Sequence, residues 1–381
     1  ATGEASMPDR LWPLPAQTPI TEVLEWSTDV LVTEAAEQRI ALRMGPRSTL
    51  TLSHLLNAPG LAEAAELGRA GPLDDWILPL WHLARPATAP VDAADLTVFV
   101  DTTDGAFDGA AQAIIAADGG RAHLSEISAV LPDRLELAVA AGVSLAHAIV
   151  APVGSAFLAR PVEIDRRRQG LGTVTASFTL RLSDGSAAAS PYPQHQGLDV
   201  LTDPAVLRQP LAETLSQTVE AIDNGFGPIV LEPVLTHVQR RSTIALIDRG
   251  SARLTCRRWL LSLRGRQRAF WLPTWGRELV LQAAVTSGAT SIVVASLADP
   301  SVWIGRHLMI DHPTGLVFRE VTAAAWDALG IRLSIAAPGK SVALGTPIHL
   351  LLKVRSDADR IELTHGPNRT ELALPLIETP S

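Results

Sequence analysis

Cysteine is all but missing from this 381-residue chain, where Cys256 stands alone. One thiol excludes an intrachain disulfide framework and any Cys-rich zinc or iron–sulfur site, and it fits synthesis in a reducing compartment. Lysine is nearly as scarce, with only Lys340 and Lys353, so arginine carries almost all the positive charge. Together with abundant alanine this reads as a high-GC mutational bias, without functional weight. Long apolar runs are missing too. The most apolar long stretch, Ser144 to Val162, is interrupted by His147, Pro152, Gly154 and Arg160, which excludes a membrane span. The opening ATGEASMPDRLWPLP has no basic region leading into an apolar one, so no signal peptide is expected. A net charge of −8 argues against binding of polyanions by the chain as a whole.

What the chain does have is core material. Apolar residues make up 47% and charged residues 19%, which describes a soluble globular protein, and the length predicts two or three domains. Strand signals dominate. From Thr173 to Leu182, Val174, Ala176, Phe178, Leu180 and Leu182 alternate with Thr173, Thr175, Ser177, Thr179 and Arg181, the period of a half-buried antiparallel strand. Similar runs recur at Leu96–Val100, Leu135–Val139, Ser291–Val294, Ile331–Ile335, Ile348–Val354 and Glu371–Ile377. The fold class expected is mainly β, of barrel or sandwich type, with a few short helices. One helix is predicted after Asn57, which serves as its cap with Pro59 in the first turn. A second is predicted over Ala205–Ala221, where Leu207, Leu211, Leu215 and Val219 recur every four residues. Ser183–Pro193, rich in Ser, Ala, Gly and Pro, reads as a linker.

An internal repeat organises these elements. Ile40-Ala41-Leu42, Leu50-Thr51 and Leu56 recur as Ile244-Ala245-Leu246, Leu254-Thr255 and Leu260, at an offset of 204. Trp76-Ile-Leu-Pro-Leu-Trp81 recurs as Phe270-Trp-Leu-Pro-Thr-Trp275, at an offset of 194. Ala113–Gly120 aligns with Leu308–Gly315, and Leu135–Ala141 with Ile331–Ala337, near 195–196. Four matches in one order point to a tandem duplication. The expected layout is a first β-rich domain over 1–182, a linker and helix over 183–227, and a second β-rich domain over 228–381 that repeats about 20–165. The change of offset predicts that the second copy lacks the helix after Asn57.

Catalytic signatures are missing. No HExxH, nucleophile elbow, Walker A loop or dinucleotide fingerprint occurs, and Gly170-Leu-Gly172 leads into a strand instead of a phosphate-binding helix. His307 and His312 beside Asp311, and the pairs Asp101/Asp104 and Asp357/Asp359, read as strand-end and turn residues in preference to metal ligands. No catalytic residue, metal or cofactor is therefore assigned. The one strong charge feature is a strip of Arg253, Arg257, Arg258, Arg264, Arg266 and Arg268 beside Trp259, Phe270, Trp271 and Trp275. Arginine and tryptophan dominate protein–protein hot spots. We read Arg253, Arg257, Arg258, Trp259, Arg264, Trp271 and Trp275, with Trp76 and Trp81 of the first copy, as interface candidates and not as a nucleic-acid groove. Trp76/Trp81 and Trp271/Trp275 flank Leu-Pro in both copies, a pattern expected of a core anchor; sugar stacking on Trp81 and Trp275 is the alternative.

Several segments resemble a family of tail proteins from long-tailed bacteriophages, including transposable phages of Pseudomonas and related bacteria. They are Leu24-Glu-Trp-Ser-Thr-Asp-Val-Leu31, Glu37-Gln-Arg-Ile-Ala-Leu-Arg43, Pro46-Arg47, Leu78-Pro-Leu-Trp81, and the closing runs Arg355–Thr364 and Glu371–Glu378. The likeness spans essentially the whole chain, and because the sequence departs from the family's pattern at the short Pro380-Ser381 tail, no receptor-binding module is expected after it. It implies a structural virion protein of the tail tip or baseplate, made in the host cytoplasm. Its partners would be further copies of itself, the tail tube and other tip proteins, with no membrane and no sequence-specific nucleic acid. Three copies of a two-domain chain would form a pseudo-sixfold ring; a hexameric distal-tail ring is the competing assembly. A carbohydrate-binding module at the tip is the alternative function, and an envelope hydrolase a third that lacks any signature.

Overall fold

A computed structural model describes residues 10–33, 36–71, 74–117, 122–168, 170–181, 190–203, 212–235, 238–276 and 278–379. The chain is mainly β, as its alternation predicts. The first half runs β1 (Arg10–Leu11), β2 (Gln17–Glu25), the hairpin β3 (Thr28–Val32) and β4 (Glu37–Ala41), β5 (Arg47–Asn57), α1 (Ala58–Ala70) and β6 (Trp76–Pro79). Six strands follow, β7 (Arg85–Pro86), β8 (Thr97–Phe99), β9 (Gln112–Ala116), β10 (Ala122–Leu131), β11 (Arg134–Leu137) and β12 (Ile149–Leu158), and then β13 (Glu163–Arg168) and β14 (Leu171–Leu180).

The second half retraces that order. After the short β15 (Gln194–His195) and β16 (Leu198–Asp199) come β17 (Glu213–Ser216), the hairpin β18 (Val219–Ile222) and β19 (Val230–Pro233), β20 (Gln239–Arg249), α2 (Ala252–Leu263) and β21 (Ala269–Pro273). Six strands again follow, β22 (Leu279–Leu281), β23 (Ser291–Ala295), β24 (His307–Ile310), β25 (Val317–Asp327), β26 (Gly330–Ile335) and β27 (Pro347–Ser356), closed by β28 (Arg360–His365) and β29 (Arg369–Glu378).

Pairings repeat with the order. β5 lies between β2 and β14 as β20 lies between β17 and β29. β6 pairs with β12 as β21 pairs with β27, and Arg10–Leu11 run parallel to Trp76–Ile77 as Val200 does to Trp271. β22–β27 close into a six-stranded barrel in the ring β22, β23, β26, β25, β24, β27. β7–β12 make the same ring, closed between β7 and β8 by the bridge from Ala87 to Val100. A bulge interrupts both long hairpins, at Ile127/Ala129 and at Val321/Ala323. Each barrel has its own core, around Val98, Phe107, Ile115 and Leu135 in one and Val294, Leu308, Ile331 and Ile348 in the other.

Three local expectations change. The second copy does possess the helix: Cys256, Trp259, Leu260 and Leu263 are buried on one face of α2, a helical spacing that reads as a strand start when only the arginines are noticed. The two copies therefore align at a near-constant offset, and the match of Ile40 to Ile244 is wrong. β4 carries Ile40 in an exposed hairpin, while Ile244 lies in β20, which occupies the place of β5. The predicted helix over Ala205–Ala221 is corrected where it is described: Glu213–Ser216 and Val219–Ile222 are strands with Leu215 and Val219 exposed. Residues 204–211 lie outside the described residues, as do 183–189 of the expected linker. Four-residue leucine spacing misled because Leu215 and Val219 face no core of their own copy, each lying in an exposed strand. The helix after Asn57 forms as predicted, with Asn57 Oδ1 accepting from the Gly60 amide at 3.1 Å.

Candidate functional site

The two copies meet through a strand pair. β2 of the first copy lies antiparallel to β28 of the second, with Leu24 opposite Ile361 and Glu22 opposite Leu363. Leu24 and Trp26 leave their own copy and enter the other core, packing with Trp259, Leu263, Ile361 and Leu363. Trp26 seats its amide on the Asp359 carbonyl at 2.9 Å. Thr28 then caps the Asp359 carboxylate through its amide at 2.7 Å and its hydroxyl at 2.9 Å. The hairpin β3–β4 reaches the same boundary, where Arg355, only 2% exposed, makes two parallel hydrogen bonds of 2.7 Å to Glu37. Burial pushes the Glu37 carboxyl up, but Arg355 outweighs it and holds the group below its ordinary range.

The centre of the boundary is a buried polar cluster. Glu22 is fully buried, and Arg257 on α2 grips both its oxygens at 2.7 to 3.1 Å. Ser48 donates to the same carboxylate at 3.1 Å, and His365 Nε2 lies 3.1 Å from Oε2. His365 Nδ1 meets the Thr370 hydroxyl at 2.8 Å, so both ring nitrogens are engaged. Burial raises the Glu22 carboxyl, yet Arg257 and the His365 bond bring it well below the usual carboxylate range. His82 stacks on His365 with ring centroids 4.8 Å apart. Burial, and then His365, hold His82 well below its normal value, so it stays neutral.

Glu22, His82 and His365 offer three ligand atoms within 4.8 Å of one another, a donor set suited in type to a divalent metal. Charge opposes that use. The only carboxylate is already neutralised by Arg257, whose guanidinium would sit against the incoming cation. The cluster reads as a specific joint between domains.

The sequence-predicted interface residues divide sharply. Arg257 faces Glu22, and Arg258 reaches Asp108 of the first barrel at 2.8 Å, so this part of the strip joins the two copies of one chain. Trp259 is core. Arg253 bonds the Gly250 carbonyl at 3.2 Å, and Arg264 ends α2 in a left-handed conformation. Trp76 is fully buried and edge-packed against Trp12 at 5.4 Å and Phe178 at 6.3 Å, the core anchor expected. Trp271 is buried with its indole N–H on the His195 carbonyl at 2.9 Å. Trp81 and Trp275 are half-buried, and Trp81 spends its N–H on the Leu14 carbonyl at 3.0 Å. Trp81 packs against the first copy's core and Trp275 against the second's.

The residues that sequence reasoning missed are Glu22, Glu37, Arg355 and Asp359. Their partners are far off in the sequence, Glu37 and Arg355 being 318 residues apart, so no local spacing marks them. The sequence matches no protein-family model and no curated protein.

Proposed function

We propose that this chain is a structural virion protein of the bacteriophage tail tip or baseplate, assembling as a ring that connects the tail tube to the distal tip proteins. The observation that carries the reading is where the resembling strings fall. Leu24–Leu31 supplies Leu24, Trp26 and Thr28 to the joint between copies, Glu37–Arg43 supplies Glu37, and Arg355–Thr364 supplies Arg355, Asp359, Ile361 and Leu363. Three of the resembling segments thus take part in the contact between the copies, while Leu78 lies in the first copy's own core and Glu371–Ile377 pairs with β20. A chain of two such domains suits a trimeric ring of six domains better than a hexamer of twelve, because three chains already match a sixfold tube. The buried groups serve packing and the ion pairs serve domain alignment, and we assign no catalytic role to any of them.

Native mass by light scattering, with images of the particles, tests the proposal. A trimer with a six-lobed outline, and the protein at the tail tip of purified virions by labelling, is the expected result. Absence from purified virions would overturn it.

A further inference from the structure

The joint inside the chain has an unused counterpart. β2 bonds to β28 along its outer edge, whereas β17, which holds the place of β2 in the second copy, bonds only to β20 among the described residues. Likewise β13, which holds the place of β28, bonds only to β14 among the described residues. The registers make the correspondence specific. Leu24 opposes Ser48 in β5, and Leu215 opposes Arg240 in β20, so Leu215 stands where Leu24 stands and Glu213 where Glu22 stands. Leu24 is fully buried at the joint; Leu215 is 63% exposed.

The receiving side is open in the same way. The groove between α2 and β28 is filled by Leu24 and Trp26. Between α1 and β13 lies an apolar groove of about 430 Å³ lined by Ala64, Ala65, Gly68, Leu158, Val162 and Ile164, among others. Where α2 carries Trp259 and Leu263, α1 carries small residues, so room remains for an incoming apolar side chain. Charge is complementary at the groove itself: Arg69 and Arg160 line it, and residues 212–235 carry Glu213, Glu220, Asp223 and Glu232 without one basic residue, while β13 is mixed, with Glu163 and Asp165 before Arg166-Arg167-Arg168.

We infer that β17 and the hairpin β18–β19 of one chain dock on β13 and the α1 groove of a second copy of this chain, reproducing between chains the joint that β2 and β28 make within one. Carrying over the internal register puts Leu215 opposite Val162 and Glu213 opposite Ile164 of the neighbouring copy. The contact is head-to-tail, each chain giving β17 and receiving on β13, which is the arrangement that closes into rings. It also removes two open sheet edges that would otherwise invite uncontrolled pairing. The inference deepens the ring reading and rests on it for closure of the assembly.

Two full-length variants test it. Leu215→Cys with Val162→Cys places one thiol in β17 opposite another at the residue just before β13, within disulfide reach if the internal register carries over, and Cys256 is buried and does not compete. The expected result is covalent oligomers ending at the ring size in the double variant, with none beyond dimers in either single variant. Leu215→Arg should weaken self-association tenfold or more by light scattering, with an unchanged circular dichroism spectrum and melting curve, because the side chain is exposed in the free chain. An oligomer that survives Leu215→Arg and gives no cross-link overturns this joint while leaving the ring itself standing. A chain that stays monomeric at every concentration, with no cross-link, overturns both.

Discussion

Arg257 and Arg258 are neighbours in sequence, identical in type, and should behave oppositely when changed. Arg257→Met removes the only cation bonded to a carboxylate that has no exposure to water. Breaking a buried pair from one side costs about 3–5 kcal/mol, because the remaining charge keeps its desolvation penalty without its partner. Here Ser48 and His365 still donate to Glu22, which places the expected loss toward the lower end, at about 3 kcal/mol. Arg258 pairs with Asp108 in the open, with side chains 42% and 69% exposed, so Arg258→Met should cost no more than about 1 kcal/mol. The assay is urea unfolding followed by both circular dichroism and tryptophan fluorescence, since two copies sharing a joint need not unfold in one step. Glu22→Gln alone and combined with Arg257→Met completes a cycle whose coupling energy isolates the pair. A loss below about 1 kcal/mol in Arg257→Met would refute the buried-joint reasoning. Charge reversal at Arg258 should spare the monomer, whereas reversal at Arg257 should break the joint within it.

Further outcomes follow from other parts of the molecule. His54 is buried, with Trp12 donating to Nε2 at 3.2 Å and Nδ1 on the Pro15 carbonyl at 2.8 Å, and burial drives it down to about 4. The fold keeps the ring neutral while the unfolded chain takes up a proton below about 6.5, so stability falls as pH falls from about 6.5 to about 4, by about 3 kcal/mol at the end of that window. His54→Gln should flatten the slope of stability against pH there, and an unchanged slope would exclude His54 as its source. Trp76→Ala should cost about 3–5 kcal/mol by denaturant unfolding, as it empties the Trp12–Trp76–Phe178 contact; a loss under 1 kcal/mol would place that cluster outside the core. Gly330 turns the hairpin between β25 and β26 at φ 143°, and a Cβ there would stand 2.3 Å from the Val294 carbonyl oxygen. Gly330→Ala should therefore lose at least about 1 kcal/mol in the same assay, whereas Gly339→Ala, with nothing within 4 Å, should lose less.

How much was legible in the sequence depended on which forces left a local pattern. Alternation fixed by one buried face was readable: Val174, Ala176, Phe178 and Leu180 are all buried in β14 as their spacing implies. The cap at Asn57 was readable because its partner is three residues away. The repeat was readable in outline, since Trp76 and Phe270 sit in matching strands, but its register was lost where the copies differ in what they bury. Ile40 and Ile244 look alike as strings and occupy different elements. The strip at 253–268 failed for a related reason. Its arginines were visible, but their partners Glu22 and Asp108 lie 235 and 150 residues away, and no local spacing encodes a contact of that range.

The same comparison explains why one duplicated strand is buried and the other is not. Glu22-Val-Leu24 and Glu213-Thr-Leu215 keep the glutamate and the leucine at matched positions. A strand that faced solvent in both its origins and its present use would have no reason to retain an apolar side chain 63% exposed beside a row of acidic residues. Within the chain, the leucine at this position goes into the neighbouring core and the glutamate beneath it goes to an arginine on the neighbouring helix. The small residues of α1, with Arg69 and Arg160 at the edge of the groove, offer the second copy of that strand an apolar seat of the same kind, although α1 has no arginine at the place of Arg257. Exchange of the two leucines therefore separates the alternatives: Leu24→Arg, at a fully buried site, should unfold the joint in the monomer, while Leu215→Arg should leave the monomer intact and act only on its assembly. Equal loss of monomer stability in both would mean that β17 is covered within its own chain, and the seat on β13 would then belong to something else.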